Sequence, residues 1–247
     1  MNTPSIRFCI DQIVPEEYHQ IAAQHAIAEN PANANPFEAA AETAKLWRPG
    51  RVLRVRFLNG DPLVQQRVIQ YARQWSDYAN ISFDFGEHPD AEIRISFNPG
   101  GSWSAVGTDA LITELFPPEQ ATMNFGWLQA DSSDEVYSAV VLHEFGHALG
   151  LIHEHQNPDQ DIPWNRQAII DYLSRRPYYW TEAQIERNIF QRYSVTQTQY
   201  STFDPESIML YAFPTRFTLD GRHFPENKVL SAMDKQFIAE CYPQSES

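Results

Sequence analysis

Between Arg51 and Gly150 the apolar positions change period several times. The stretch RVLRVRFL, starting at Arg51, alternates apolar and polar residues in period two and predicts a strand. In DPLVQQRVIQYARQWSDYA, residues Val64, Val68, Ile69, Ala72 and Trp75 recur at helical spacing, and Pro62 suits a helix start. ISFDFG and AEIRISF predict two more strands, NPGGSWSAVG a Gly-rich loop, and ATMNFGWL another strand. SDEVYSAVVLHEFGHALG then predicts a helix that stops at Gly150, a residue suited to a left-handed C-cap. Strand, helix, three strands and helix together imply a mixed half of roughly a hundred residues.

Beyond Gly150 the pattern is helical and irregular. WNRQAIIDYLSR, TEAQIERNIFQRYS and VLSAMDKQFIAECY are the predicted helices. Residues 1–47 differ from both halves. PEEYHQIAAQHAIAEN and PFEAAAETAKLW predict two Ala-rich helices, separated by the breaker NPANANP. The expected organisation is a helical extension, 1–47, before one main domain, 48–247, of α+β class.

Composition narrows the partners. With a net charge of −14 and no cluster of Lys or Arg, neither nucleic acid nor an anionic membrane is an expected ligand. No 18-residue apolar run exists, so no membrane span is expected. The start, MNTPSIRFCIDQIVPEEYHQ, lacks a basic stretch followed by an apolar one, so the chain as written is expected in the cytoplasm, with secretion left open. The two cysteines, Cys9 and Cys241, rule out a disulfide-dense scaffold and leave one bridge or two free thiols open. Oligomeric state is not legible.

The chemistry concentrates in VVLHEFGHALGLIHEH, residues 140–155. His143 and His147 lie one helical turn apart on one face, where both rings can reach one metal ion. Glu144 is displaced around the helix and suits a base beside a metal-activated water better than a ligand. Gly150 lets the chain turn, and His153 returns as a third ligand. Three neutral imidazoles leave one position open, the arrangement of a catalytic rather than a structural zinc site. His155 breaks this spacing and reads as a loop residue.

The pattern H-E-x-x-H-x-x-G-x-x-H resembles the metzincin zinc endopeptidases. That resemblance implies a mixed twisted sheet carrying the active-site helix, a mostly helical second half, and a cleft between them. It also implies a methionine in a buried turn beneath the metal, for which Met209 in DPESIMLYAFP is the candidate. Tyr211, in S-I-M-x-Y spacing, resembles the tyrosine of the astacin and serralysin branches, which binds zinc at rest and later helps stabilise the oxyanion. A core tyrosine is the plainer reading of the same residue. GSWSAVG, residues 101–107, and Glu154 directly after His153 also resemble astacins. The implied activity is hydrolysis of protein or peptide substrates, with Zn2+ held by His143, His147, His153 and Tyr211, Glu144 as general base, and substrate along the AEIRISF to GSWSAVG region.

The departures matter. Ser102 stands where astacins usually have a cysteine, so their disulfide pattern is not used. In astacins the counterpart of Glu154 meets the amino terminus of the mature enzyme, whereas here a long extension precedes the matching region. The extension is either a packed structural element or an inhibitory pro-segment, and in the second case Cys9 or Asp11 could reach the zinc. A peptidase restricted to one protein target, toxin-like, and a silent zinc-binding interaction module are the rival functions. The retained Glu144 argues against the silent one.

Overall fold

The computed structural model describes residues 6–10, 12–34, 45–193 and 202–244. The helices are α1 (His19–Glu29), α2 (Pro62–Ala72), α3 (Asp134–Ala148), α4 (Arg166–Leu173), α5 (Glu182–Ile185) and α6 (Ala232–Cys241). The strands are β1 (Arg51–Phe57), β2 (Ile81–Phe85), β3 (Ile93–Ser96), β4 (Ser102–Ser104) and β5 (Met123–Phe125). They form one sheet in the order β2-β1-β3-β5-β4. All neighbours run parallel except β4, which lies antiparallel on β5 with Ser102 opposite Phe125 and Ser104 opposite Met123.

The predicted α+β class holds, with one strand more than the pattern indicated. β4 lies inside the stretch expected to be a Gly-rich loop. It is three residues long, too short for alternation to reveal. The predicted helix from Asp61 ends earlier as an α-helix, at Ala72, and continues as a 3-10 turn over Arg73–Asp77. Likewise TEAQIERNIFQRYS gives the short α5, after which Glu186–Phe190 forms a π-helical turn. Of the two helices expected in the extension, α1 is present, and Pro31–Ala34 closes it as a 3-10 turn. The second, over PFEAAAETAKLW, lies mostly outside the described residues. No described helix is long and apolar enough to cross a membrane.

Local chemistry explains the boundaries of the two central helices. Asp61 caps α2 by accepting from the Leu63 amide, with Pro62 at the first position. Ser133 caps α3 through the Val136 amide. At the other end Gly150 adopts φ +93°. The Leu151 amide then donates to Gly146 O at 2.9 Å and the Gly150 amide to His147 O at 2.8 Å, the paired bonds of a Schellman cap.

Two apolar cores result. The larger one joins the sheet, α2, α3 and α6, and includes Trp47, Trp75, Phe145 and Met209. The smaller one lies in the C-terminal half and includes Leu173, Trp180, Tyr211 and Phe213, together with Phe8 and Cys9 from the extension. α3 is buried on nearly every side, which accounts for its lack of an amphipathic pattern. Met209 belongs to one core and Leu210 and Tyr211 to the other, so this turn bridges the two lobes.

The extension wraps the main domain. α1 packs on the 3-10 turn Gly107–Leu111. Within the extension, Asn33 Nδ2 donates to Leu46 O at 3.0 Å and Asn30 Nδ2 to Trp47 O at 3.2 Å. Glu29 meets Arg51 at 3.2 Å. Trp47 Nε1 in turn donates to Ala148 O at 2.8 Å, and the Tyr242 hydroxyl to Leu149 O at 2.6 Å, satisfying carbonyls at the C-terminal end of α3.

Candidate metal centre

α3 presents His143 and His147 on one face, and the turn at Gly150 returns His153 toward them. Nε2 of His153 lies 3.3 Å from Nε2 of His143 and 3.0 Å from Nε2 of His147. The outer nitrogens settle what these contacts are. His143 Nδ1 lies 2.8 Å from Ile208 O and His147 Nδ1 lies 2.8 Å from Leu151 O. A carbonyl can only accept, so in each neutral ring Nδ1 carries the proton and Nε2 is unprotonated. The Tyr211 hydroxyl donates to Cys9 O at 2.6 Å and can therefore accept from His153 Nδ1 at 3.4 Å. Three nitrogen lone pairs thus face one another. None of the three nitrogens can donate, and a cation resolves that convergence. Burial holds His153 well below the usual histidine range, in keeping with a neutral donor.

The fourth donor comes from the extension. Cys9 Sγ and the three imidazoles place their ligand atoms within 4.8 Å of one another. The Cys9 thiol also reaches Glu144 Oε2, 3.4 Å away. Three nitrogens and one sulfur at this spacing fit a tetrahedral zinc ion. Asp11, the other candidate from the extension, lies outside the described residues. Cys9 and Cys241 are both buried and not disulfide-bonded, so the bridge left open by the sequence does not form.

Glu144 is wholly buried beside the histidines, and its Oε2 faces the thiol. The Tyr211 hydroxyl donates to the Cys9 carbonyl and lies 3.4 Å from the outer nitrogen of His153, while the Cys9 thiol converges with the three imidazoles. Met209 lies under α3: a Cβ built on Gly146 would stand 2.4 Å from its Sδ. Its carbonyl accepts from the Glu154 amide at 3.0 Å, tying the turn to the residue after the third histidine.

Two expectations need correction or completion. His155, read from the spacing as a loop residue, lies in the 3-10 turn Glu154–Gln156 and is fully buried. Its Nε2 meets Asn188 O at 2.8 Å and its ring stacks on Tyr211 with centroids 4.7 Å apart. Spacing alone could exclude it from the ligands but could not show its partner. Glu154 has partners other than a chain terminus here. Its carboxylate accepts from the Asp204 amide and from Asn157 Nδ2, each at 2.9 Å, and burial pushes its pKa up to about 8.

A small cavity of about 50 Å3 beside the centre is lined by Cys9, Trp127, His143, Glu144, Tyr211 and Asn227. β4 is the sheet's edge strand on the β5 side. A pocket of about 920 Å3 beside the centre is lined by residues of the extension (Ile13, Val14, Lys45) and of the main domain (Asp109, His147, Arg187). Lys45 closes part of it through an ion pair with Asp109 at 2.8 Å.

Comparison with known proteins agrees with this geometry. A model of the peptidase family Astacin matches residues 39–222. Tolloid-like protein 1 of Homo sapiens is 27% identical over 135 residues, 54% of this chain and 12% of that protein. Zinc metalloproteinase nas-27 of Caenorhabditis elegans is 26% identical over 166 residues, 62% of this chain and 34% of that protein. The matches therefore span only a minor part of these curated relatives. Among solved structures, myroilysin is 46% identical, with a TM-score of 0.79 over 82% of this chain and 98% of that one. A hatching enzyme zinc-protease from Oryzias latipes, high choriolytic enzyme 1, shares the fold. It is 18% identical, with a TM-score of 0.54 over 81% of this chain and 95% of that one.

Proposed function

This chain belongs to the astacin family of peptidases, and we propose that it is a zinc-dependent endopeptidase held latent by its own N-terminal segment. The observation that carries the reading is the convergence of three unprotonated imidazole nitrogens beside a buried carboxylate. His143, His147 and His153 hold the zinc. When bound, the ion supplies Lewis-acid polarisation and lowers the pKa of water. Glu144 accepts the proton of the attacking water and passes it to the leaving amine. The Tyr211 hydroxyl, already a donor to a peptide carbonyl, turns to the scissile carbonyl and supports its developing charge. Met209 packs beneath the histidines and, with Ile208, sets the carbonyls that orient this corner. A peptide or protein substrate lies extended in the cleft along β4, whose outer edge offers main-chain hydrogen bonds.

Latency follows from what Cys9 touches. Its thiol converges with the three imidazoles and faces the base, so with zinc bound it would stand where the attacking water is needed and would engage Glu144. Its carbonyl also engages the Tyr211 hydroxyl. One residue thereby blocks three groups, which supports reading the extension as a pro-segment rather than a packed appendage.

The test is Glu144→Gln in zinc-loaded full chain processed by limited proteolysis. Zinc content should match the parent, and turnover should fall by about 10²–10⁴-fold, as for a lost acid–base group. Parent-like turnover would remove Glu144 from the reaction, and with it the argument against a silent zinc-binding module.

A further inference from the structure

The extension does more than cap the metal: it presents one side chain to a ready-made pocket. Phe8 is 3% exposed. Its ring lies edge-on to Tyr211 at 5.2 Å and to Tyr178 at 5.7 Å, with Trp180 at 5.9 Å and Phe213 at 6.1 Å. All four walls belong to the helical lobe, outside the extension, so the pocket remains when the segment leaves. Main-chain contacts fix the register. The Ile6 amide donates to the Tyr172 hydroxyl at 3.4 Å, the Tyr178 hydroxyl donates to Ile6 O, and the Cys9 carbonyl rests on Tyr211. Hydroxyl groups that hold a backbone read no side chain and serve any extended peptide. Of the flanking side chains, Ile10 is 40% exposed and Arg7 meets Glu226 at 3.8 Å. Selectivity therefore falls on the position that Phe8 fills.

We infer that the pocket of Tyr178, Trp180, Tyr211 and Phe213 is a substrate side-chain subsite, selecting a large apolar residue, aromatic before aliphatic, within two positions of the scissile bond. This rests on the peptidase reading above. Rings presented edge-on to a bound ring favour aromatic occupants beyond their area. A charged side chain there would lose its hydration with no opposite charge among the four walls.

The full chain carrying Phe8→Ala and Cys9→Ala, loaded with zinc, vacates the pocket and frees the centre. Cleavage sites in a denatured protein mixture, read by mass spectrometry, should show Phe, Tyr, Trp and Leu enriched at one position within two residues of the cut. On paired peptides differing only there, Phe over Ala should favour kcat/KM by roughly ten- to a hundredfold, as for a fully buried aromatic side chain. Trp180→Ala in this background should cut that ratio by about tenfold, the loss of one wall. A separate measurement leaves the pocket untouched: an acetylated Ile6–Ile10 peptide should inhibit at least about tenfold better than its Phe8→Ala counterpart. Active enzyme with no apolar enrichment, or equal inhibition by the two peptides, would overturn the subsite while leaving the peptidase reading intact. Zinc-replete protein that cleaves nothing would overturn both.

Discussion

Gly146 offers a test of how tightly the methionine turn is built into the metal centre. A methyl group at Gly146 would stand 2.4 Å from Met209 Sδ, 3.3 Å from Met209 Cε and 3.3 Å from the Trp75 ring. Gly146→Ala gains helix propensity of about 1 kcal/mol. Against that, Met209 is 2% and Trp75 0% exposed, so neither has open space to enter. Overpacking of this kind costs about 1–3 kcal/mol. Because the overlap with sulfur exceeds an ångström by any ordinary contact distance, the upper half of that range applies, leaving a net loss of about 1–2 kcal/mol. The displacement also reaches the metal. Ile208 O holds His143 Nδ1 and Met209 O holds the Glu154 amide, so zinc affinity should fall about 10–100-fold, as when an outer partner of a ligand is lost. Urea unfolding of metal-free protein and zinc competition against a chromogenic chelator measure the two effects. Met209→Ala alone should cost about 2–5 kcal/mol by leaving a cavity. In the double variant the new methyl enters that space, so the combined cost should undercut the sum by about 1 kcal/mol or more. If Gly146→Ala instead stabilises the protein with zinc affinity unchanged, Met209 rotates freely away and the packing argument is wrong.

The other expectations are more direct. Cys9→Ala should raise the peptidase activity of unprocessed, zinc-loaded full chain by at least about tenfold, since one strong ligand no longer favours the closed state. A fluorogenic peptide assay showing no rise would make the extension structural. Tyr211→Phe in processed enzyme should keep zinc and lower kcat by about 10–10³-fold, the range for one oxyanion donor, with unchanged kcat refuting the role. His153→Ala should lose zinc on dialysis, whereas His155→Ala should retain it and lose about 1–3 kcal/mol of stability with its buried contacts. The reverse pattern, by metal analysis and urea unfolding, would reassign the third ligand.

Much of the fold was legible because its signals are local. The alternation in RVLRVRFL, the Asp61-Pro62 start of α2 and Gly150 at the end of α3 each report a backbone preference that burial does not override. The failures also have local causes. β4 is held by pairing to β5 rather than by its own pattern, and Gly-rich flanks made it read as loop. Ile185 and Ile189 keep an i, i+4 spacing across the π-helical turn Glu186–Phe190, while the hydrogen bonds beneath change. Periodicity cannot see that change.

The site divides along the same line. Its three histidines and Glu144 sit within eleven residues, where helix geometry and the turn at Gly150 place them, so spacing was enough. Cys9 precedes Glu144 by 135 residues, and its thiol reaches the carboxylate only because residues 6–10 cross the cleft. No local rule ranks a lone cysteine as ligand above structural thiol. What decides it is tertiary: Phe8 seated among four aromatic rings, with the Ile6 backbone held by two tyrosines, sets Cys9 opposite the histidines. The same contacts engage Tyr211. Its hydroxyl can donate one proton, and the Cys9 carbonyl takes it. Sequence spacing describes the tyrosine of an open centre, and the structure describes that tyrosine engaged by a tethered peptide. On the proposed reading, removing the segment would free the thiol's place and the hydroxyl's proton together, so exposing the centre and arming the oxyanion donor would be one event.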